Sequence, residues 1–125
     1  VVIHTGYRIE DYVDVVSCMD IDVFLVPGSD GSCRAVREVM AMGKPVIAAN
    51  RGMLPEIVDN DINGLVVEDT PENMAEAFLK LSRDENLRNK LAEASLNKAR
   101  EKFSLDTQAI QVEKVYEELL SEGNQ

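Results

Sequence analysis

The chain has 125 residues, 45% of them hydrophobic, which suits one packed domain with a single core. Its 13 Lys and Arg face 23 Asp and Glu, a formal net charge of −10, and this balance argues against nucleic acid as a partner, because phosphate backbones are held by basic patches. Cys18 and Cys33 form no metal spacing and no disulfide framework, so a reducing, cytoplasmic setting is expected, and no apolar run reaches the ~20 residues of a membrane span.

Val1 opens directly in a strand-like run with neither Met nor leader, so a piece of a longer protein is expected. "VVIHT" (1–5) reads as a short buried strand ended by Gly6. "IEDYVDVVSCM" (9–19) spaces Ile9, Tyr12, Val13, Val16 and Met19 as a helix does. "IDVFLVP" (21–27) is apolar and β-branched and stops at Pro27-Gly28. From 32 to 42 the spacing of Ala35, Val36, Val39 and Met40 is helical again. Gly43 then serves as a C-cap, and Pro45 blocks continuation. "PVIAAN" (45–50) is the next strand, "MLPEIV" (53–58) at most a helical turn, and "NGLVV" (63–67) a short strand with Asn63-Gly64 as its turn. Thr70-Pro71 starts a helix, Thr as N-cap and Pro at the first position, with Met74, Ala75, Phe78 and Leu79 as its apolar face. A second helix carries Leu87, Leu91 and Ala94 on one side. Ser104 can cap the last helix, whose inner face is expected at Ala109, Val112, Tyr116 and Leu119, and the tail 121–125 should fray. Residues 1–120 thus form one domain without repeats or low-complexity linkers.

Strands alternating with helices mean parallel strands joined by crossover helices, and strands apolar without alternation suit a sheet buried on both faces. The fold class is therefore α/β, a Rossmann-like parallel sheet with flanking helices. Ligands in such sheets bind beyond the carboxyl ends of the strands. The loop 28–32 lies at such an end and feeds a helix N-terminus, where free N–H groups and the helix dipole attract phosphate. Gly28 and Gly31 let backbone approach a ligand closely. The plainer reading is an ordinary turn with Asp30 or Ser32 as N-cap. Glu38 sits near the edge of the apolar stripe, and its carboxylate can accept two hydroxyl protons at once, as ribose recognition requires. Its plainer reading is an ion pair with Arg34, worth ~0.3–0.5 kcal/mol, in the weaker order along the helix.

"SDGSCRAVREVMAMGKPVIAANRGMLPEIV…NGLVVE" resembles the C-terminal donor-binding domain of retaining GT-B glycosyltransferases, the family 4 group. That family shows an acidic residue, seven others, then Glu, followed by a run like Ala-Met-Ala-x-Gly-x-Pro-Val-Ile-Ala; Asp30 and Glu38 fit the spacing, and "VMAMGKPVIAAN" fits the run. "LRNKLAEAS…KAREKFS" and "VEKVYEELL" extend the likeness over nearly the whole chain. The resemblance implies that Glu38 binds the ribose hydroxyls and that Asp30 faces the transferred sugar as the catalytic residue. It implies that Gly31, Ser32, Cys33 and Arg34 hold the diphosphate or sugar through their amides, and that Gly6, Tyr7 and Arg8 lie beside the base. The first acidic position is usually Glu, and the usual Gly-Phe-Gly is Gly-Ser-Cys here. The family's basic diphosphate clamp and its acceptor-binding N-terminal domain lie upstream of this chain. The resemblance thus implies a hexosyltransferase moving sugar from a nucleotide diphosphate sugar to an acceptor hydroxyl. No separate cofactor and no metal are implied; the piece alone is expected to be inactive, and the missing domain is a route to peripheral membrane attachment.

Two other readings draw on the same residues. Cys33, at a helix start beside Arg34, could pair with His4 as a Cys–His hydrolase, though a small apolar role explains Cys33 as well. A phospho-receiver domain has this size and winding, but Asp30 follows a Pro-Gly-Ser turn rather than ending a strand. In the resembled fold "VVIHT" is an edge strand and "VFLVP" (23–27) a central one. Left alone, "VVIHT" should close against "VFLVP" or the open edges should pair in a homodimer, the dimer being favoured because Ile110 and Leu120 also need cover.

Overall fold

A computed structural model describes residues 11–25 and 33–122. The elements in chain order are α1 (Tyr12–Ser17), β1 (Asp22–Phe24), α2 (Cys33–Ala41), β2 (Val46–Ala49), α3 (Leu54–Ile57), β3 (Gly64–Val67), α4 (Pro71–Arg83), α5 (Glu85–Lys102) and α6 (Leu105–Glu122). The strands form one parallel sheet in the order β1-β2-β3, with Asp22 beside Val46 and Val46 beside Gly64. β2 is the middle strand, and all four of its residues are buried, which is why its sequence does not alternate. The expected strand 1–5, its pairing and any dimer lie outside the described residues; among these, β1 pairs with β2 alone.

Two apolar clusters flank the sheet. One joins Val36, Val39 and Met40 of α2 to Val46, Ala48, Leu54, Ile57 and Ala99. The other joins Ile47 and Leu65 to Ala77 and Leu81 of α4 and Leu91 of α5. α5 therefore reaches both clusters.

The local signals act as read. Gly43 ends α2 with φ +67°, the left-handed cap that glycine adopts without strain. Gly64 is required by a close approach: a Cβ there would stand 2.5 Å from the Val46 carbonyl oxygen and 2.6 Å from Val58 Cγ1. Beside it, buried Asn63 accepts the Asp59 amide at 2.9 Å through Oδ1 and so closes the turn. Thr70 Oγ1 accepts the Asn73 amide at 3.2 Å, with Pro71 at the first helical position. Asp84 caps α5 by accepting the Leu87 amide at 2.9 Å, and Ser104 accepts the Thr107 amide at 3.1 Å ahead of α6.

Three helix faces differ from expectation. α4 buries Ala77 and Leu81, with Met74 packed at the margin, whereas Phe78 and Leu79 remain about half exposed. α5 buries Ser95 and Ala99 together with Leu91, and Ala94 is only half-buried. The expected inner face of α6 is open: Val112, Tyr116 and Leu119 are 49%, 65% and 60% exposed. α6 runs through Glu122, and 123–125 lie outside the described residues.

At the amino edge of the sheet, the Asp22 amide donates to the Pro45 carbonyl at 3.0 Å. Its carboxyl is pulled into the fold, and Oδ2 has no hydrogen-bond partner. Burial pushes this carboxyl above its ordinary value of 3.8, and the Val23 backbone amide opposes the shift.

Candidate functional site

The carboxyl edge of the sheet gathers the start of α2, the loop after β2 and the loop after β3. The start of α2 points its opening N–H groups toward this edge, because the helix follows β1 and runs back antiparallel to the strands. Cys33, the first residue of α2, is fully buried in the apolar cluster, as a small hydrophobe is. Arg34 and Glu38 lie on the outward side of α2, with side chains 80% and 38% exposed. Arg34 Nε donates to Glu38 Oε1 at 2.9 Å, so the expected ion pair is formed. A pair this exposed is worth under about 1 kcal/mol. Its weakness leaves the carboxylate able to exchange the guanidinium for a ligand's hydroxyls.

Two contacts at this edge were not singled out in the sequence. Asn50 Nδ2 donates to Glu68 Oε1 at 2.8 Å, and Arg51 Nη1 donates to Asp69 Oδ2 at 2.6 Å. With the Asn50 amide donating to the Val67 carbonyl at 2.7 Å, they tie the loop after β2 to the loop after β3. The available signal was a polar pair following each of two adjacent apolar strands, Asn50-Arg51 and Glu68-Asp69. Gly6, Tyr7, Arg8, Asp30, Gly31 and Ser32 lie outside the described residues, as does His4. Of the sequence-derived set, the structure brings together Cys33, Arg34 and Glu38 on the first turns of α2. Among the described residues no group of three or more His, Cys, Asp or Glu is placed to hold a metal ion. No helix among them is long and apolar enough to cross a membrane.

Residues 2–98 match the family described as glycosyl transferases group 1. The chain belongs to that family. It is 39% identical over 113 residues to an uncharacterized glycosyltransferase of Methanocaldococcus jannaschii, an alignment covering 88% of this chain and 32% of that protein. Among solved structures it resembles the C-terminal domain of a glycosyl transferase group 1 family protein from Francisella tularensis, with a TM-score of 0.72 and 27% identity, covering 82% of this chain and 53% of that one. It also superposes on HepE of Anabaena, solved in complex with UDP and glucose, with a TM-score of 0.78 and 21% identity, covering 91% of this chain and 31% of that one. The chain spans about a third or less of the length of the curated relatives it matches. The glycosyl transferases group 1 fold seen here is the parallel α/β fold of GT-B C-terminal domains. Membership of this family favours neither the phospho-receiver nor the Cys–His hydrolase reading, and burial of the Cys33 side chain weighs further against the latter.

Proposed function

We propose that this chain is the donor-binding part of a retaining, family 4 glycosyltransferase that moves a hexosyl group from a nucleotide diphosphate sugar to an acceptor hydroxyl. The carrying observation is Glu38 on the outward side of α2, the helix that leaves the carboxyl end of β1 in a parallel sheet, in a chain of this family. The Anabaena neighbour's complex with UDP and glucose supports a nucleotide sugar as the donor. In this reading Glu38 accepts the two ribose hydroxyls, and Asp30 meets the transferred sugar. The amides opening α2 receive the diphosphate, where the helix dipole favours the charge that grows on the leaving group. Gly6, Tyr7 and Arg8 flank the base. The acceptor binds a separate N-terminal domain, so the isolated chain is inactive. The reaction takes place in the cytoplasm, in keeping with Cys18 and Cys33 forming no disulfide.

Calorimetric titration of the protein that contains this chain with UDP-, GDP- and ADP-sugars is the test. One of the three should bind, and Glu38→Gln should weaken that binding by roughly 1–3 kcal/mol, the loss of a charged acceptor. Unchanged affinity in the variant would reduce Glu38 to the ion-pair partner of Arg34.

A further inference from the structure

β3 is an edge strand: among the described residues it pairs with β2 alone. The Val67 carbonyl accepts the Asn50 amide at 2.7 Å from the β2 side. By the alternation of a strand, the backbone groups of Gly64 and Val66 face the other way, toward the open edge. The strand is Gly-Leu-Val-Val and carries no charge, the kind of edge that takes up a further strand. Its edge is nevertheless occupied. The Val66 amide donates to Asn60 Oδ1 at 2.9 Å, and the Asp61 amide donates to the Gly64 carbonyl at 2.8 Å. Asn60 also bridges Gly64 in the manner of a parallel strand.

The residues that cover the edge are clamped in turn. Asn60 Nδ2 donates to Asp61 Oδ2 at 3.0 Å, and Lys80 Nζ reaches over from α4 to donate to Asp61 Oδ1 at 2.9 Å. Both ends of the Asn60 carboxamide are therefore engaged, one on the strand and one on the clamp. Asp61 has φ +60°, a left-handed conformation that a residue with a Cβ enters at a cost. The ion pair that holds it there is open to solvent, with Lys80 and Asp61 side chains 48% and 59% exposed. A strained residue under an exposed clamp can lift away without disturbing either apolar cluster. Lifting it would leave the Val66 amide and the Gly64 carbonyl without partners, as on any bare edge.

We propose that residues 60–61 are a strap that occupies the edge of β3 and so keeps a second copy of this chain from adding its own β3 there. An uncharged edge strand pairs with its copy antiparallel across a two-fold axis, so the blocked partner is the same strand of another molecule. The proposal does not depend on the donor assignment. Sedimentation velocity over a concentration series tests it in the protein that contains this chain. Asn60→Ala removes the edge cap and the inner clamp together, and it should self-associate about ten-fold more tightly than the parent. Adding Val66→Pro should return the parent's behaviour, because proline lacks the outward N–H that an added strand needs while the bonds to β2 remain. Sedimentation identical to the parent, or association that Val66→Pro leaves in place, would overturn the proposal. A milder variant keeps the test independent of folding. In Lys80→Met the Val66 amide should exchange its hydrogen about five-fold faster, while the amides of Leu65 and Val67, which face β2, keep the parent's rates. Unchanged exchange at Val66, or equal acceleration at all three amides, would show that no strap opens there.

Discussion

α5 and α6 are both 18 residues long and follow one another in the chain, yet they end in opposite environments. α5 is the more polar by sequence, but Leu91, Ser95 and Ala99 are completely or almost completely buried. α6 offers Ile110, Val112, Val115, Tyr116, Leu119 and Leu120, all of them exposed. The difference is geometric. α5 presents small residues toward α2, so the two helices approach closely, and a leucine toward the sheet's other cluster. α6 has no described surface opposite its apolar stripe. An apolar stripe marks a helix that can be buried; a facing surface decides whether it is.

The largest expected effect separates the two helices directly. Leu91→Ala empties a fully buried site and should cost roughly 2–5 kcal/mol in urea unfolding. A cost under about 1 kcal/mol would mean that α5 is no more central to the fold than α6. Ser95→Ala is smaller and of opposite sign. Its Oγ is buried without a hydrogen-bond partner, so removing it should leave stability unchanged or raise it by about 1 kcal/mol. A clear loss would reveal a hydrogen bond that the helix interior conceals. The smallest effect belongs to Leu119→Ala, expected within about 0.5 kcal/mol for the isolated chain. A cost approaching that of Leu91→Ala would show that another surface covers α6 in solution.

The same contrast explains what the sequence made legible. Local chemistry was readable: the Thr70 cap, Pro71, the Gly43 turn and the continuous apolar run of β2 each act through neighbours a few residues away. Helix faces were read less well, because periodicity gives a stripe and not the direction of cover. On α4 the buried pair is Ala77 and Leu81, one turn apart, while Phe78 and Leu79 stay about half exposed. At the candidate site, Arg34 and Glu38 were visible as an i,i+4 pair. Arg51–Asp69 and Asn50–Glu68 were not, since each joins residues 18 apart that only the register of β2 with β3 brings together.

The unpaired carboxyl oxygen of Asp22 makes the fold a proton acceptor. Because burial raises its folded pKa above the ordinary 3.8, the native chain binds a proton more tightly than the unfolded chain does. Between the two values the native state holds more protons, so its stability falls as pH rises, and the full penalty remains above the raised value. This runs opposite to the acid lability that ion-paired carboxylates confer. Asp22→Asn removes the ionisation and should gain on the parent chain as pH climbs, which urea midpoints between about pH 3 and about pH 7 would record. An advantage independent of pH across that span would place the effect in packing instead. Were it pH-dependent as expected, the amino edge of the sheet would tighten on acidification, so a single downward pH step would act on that end of the three strands through one buried carboxyl.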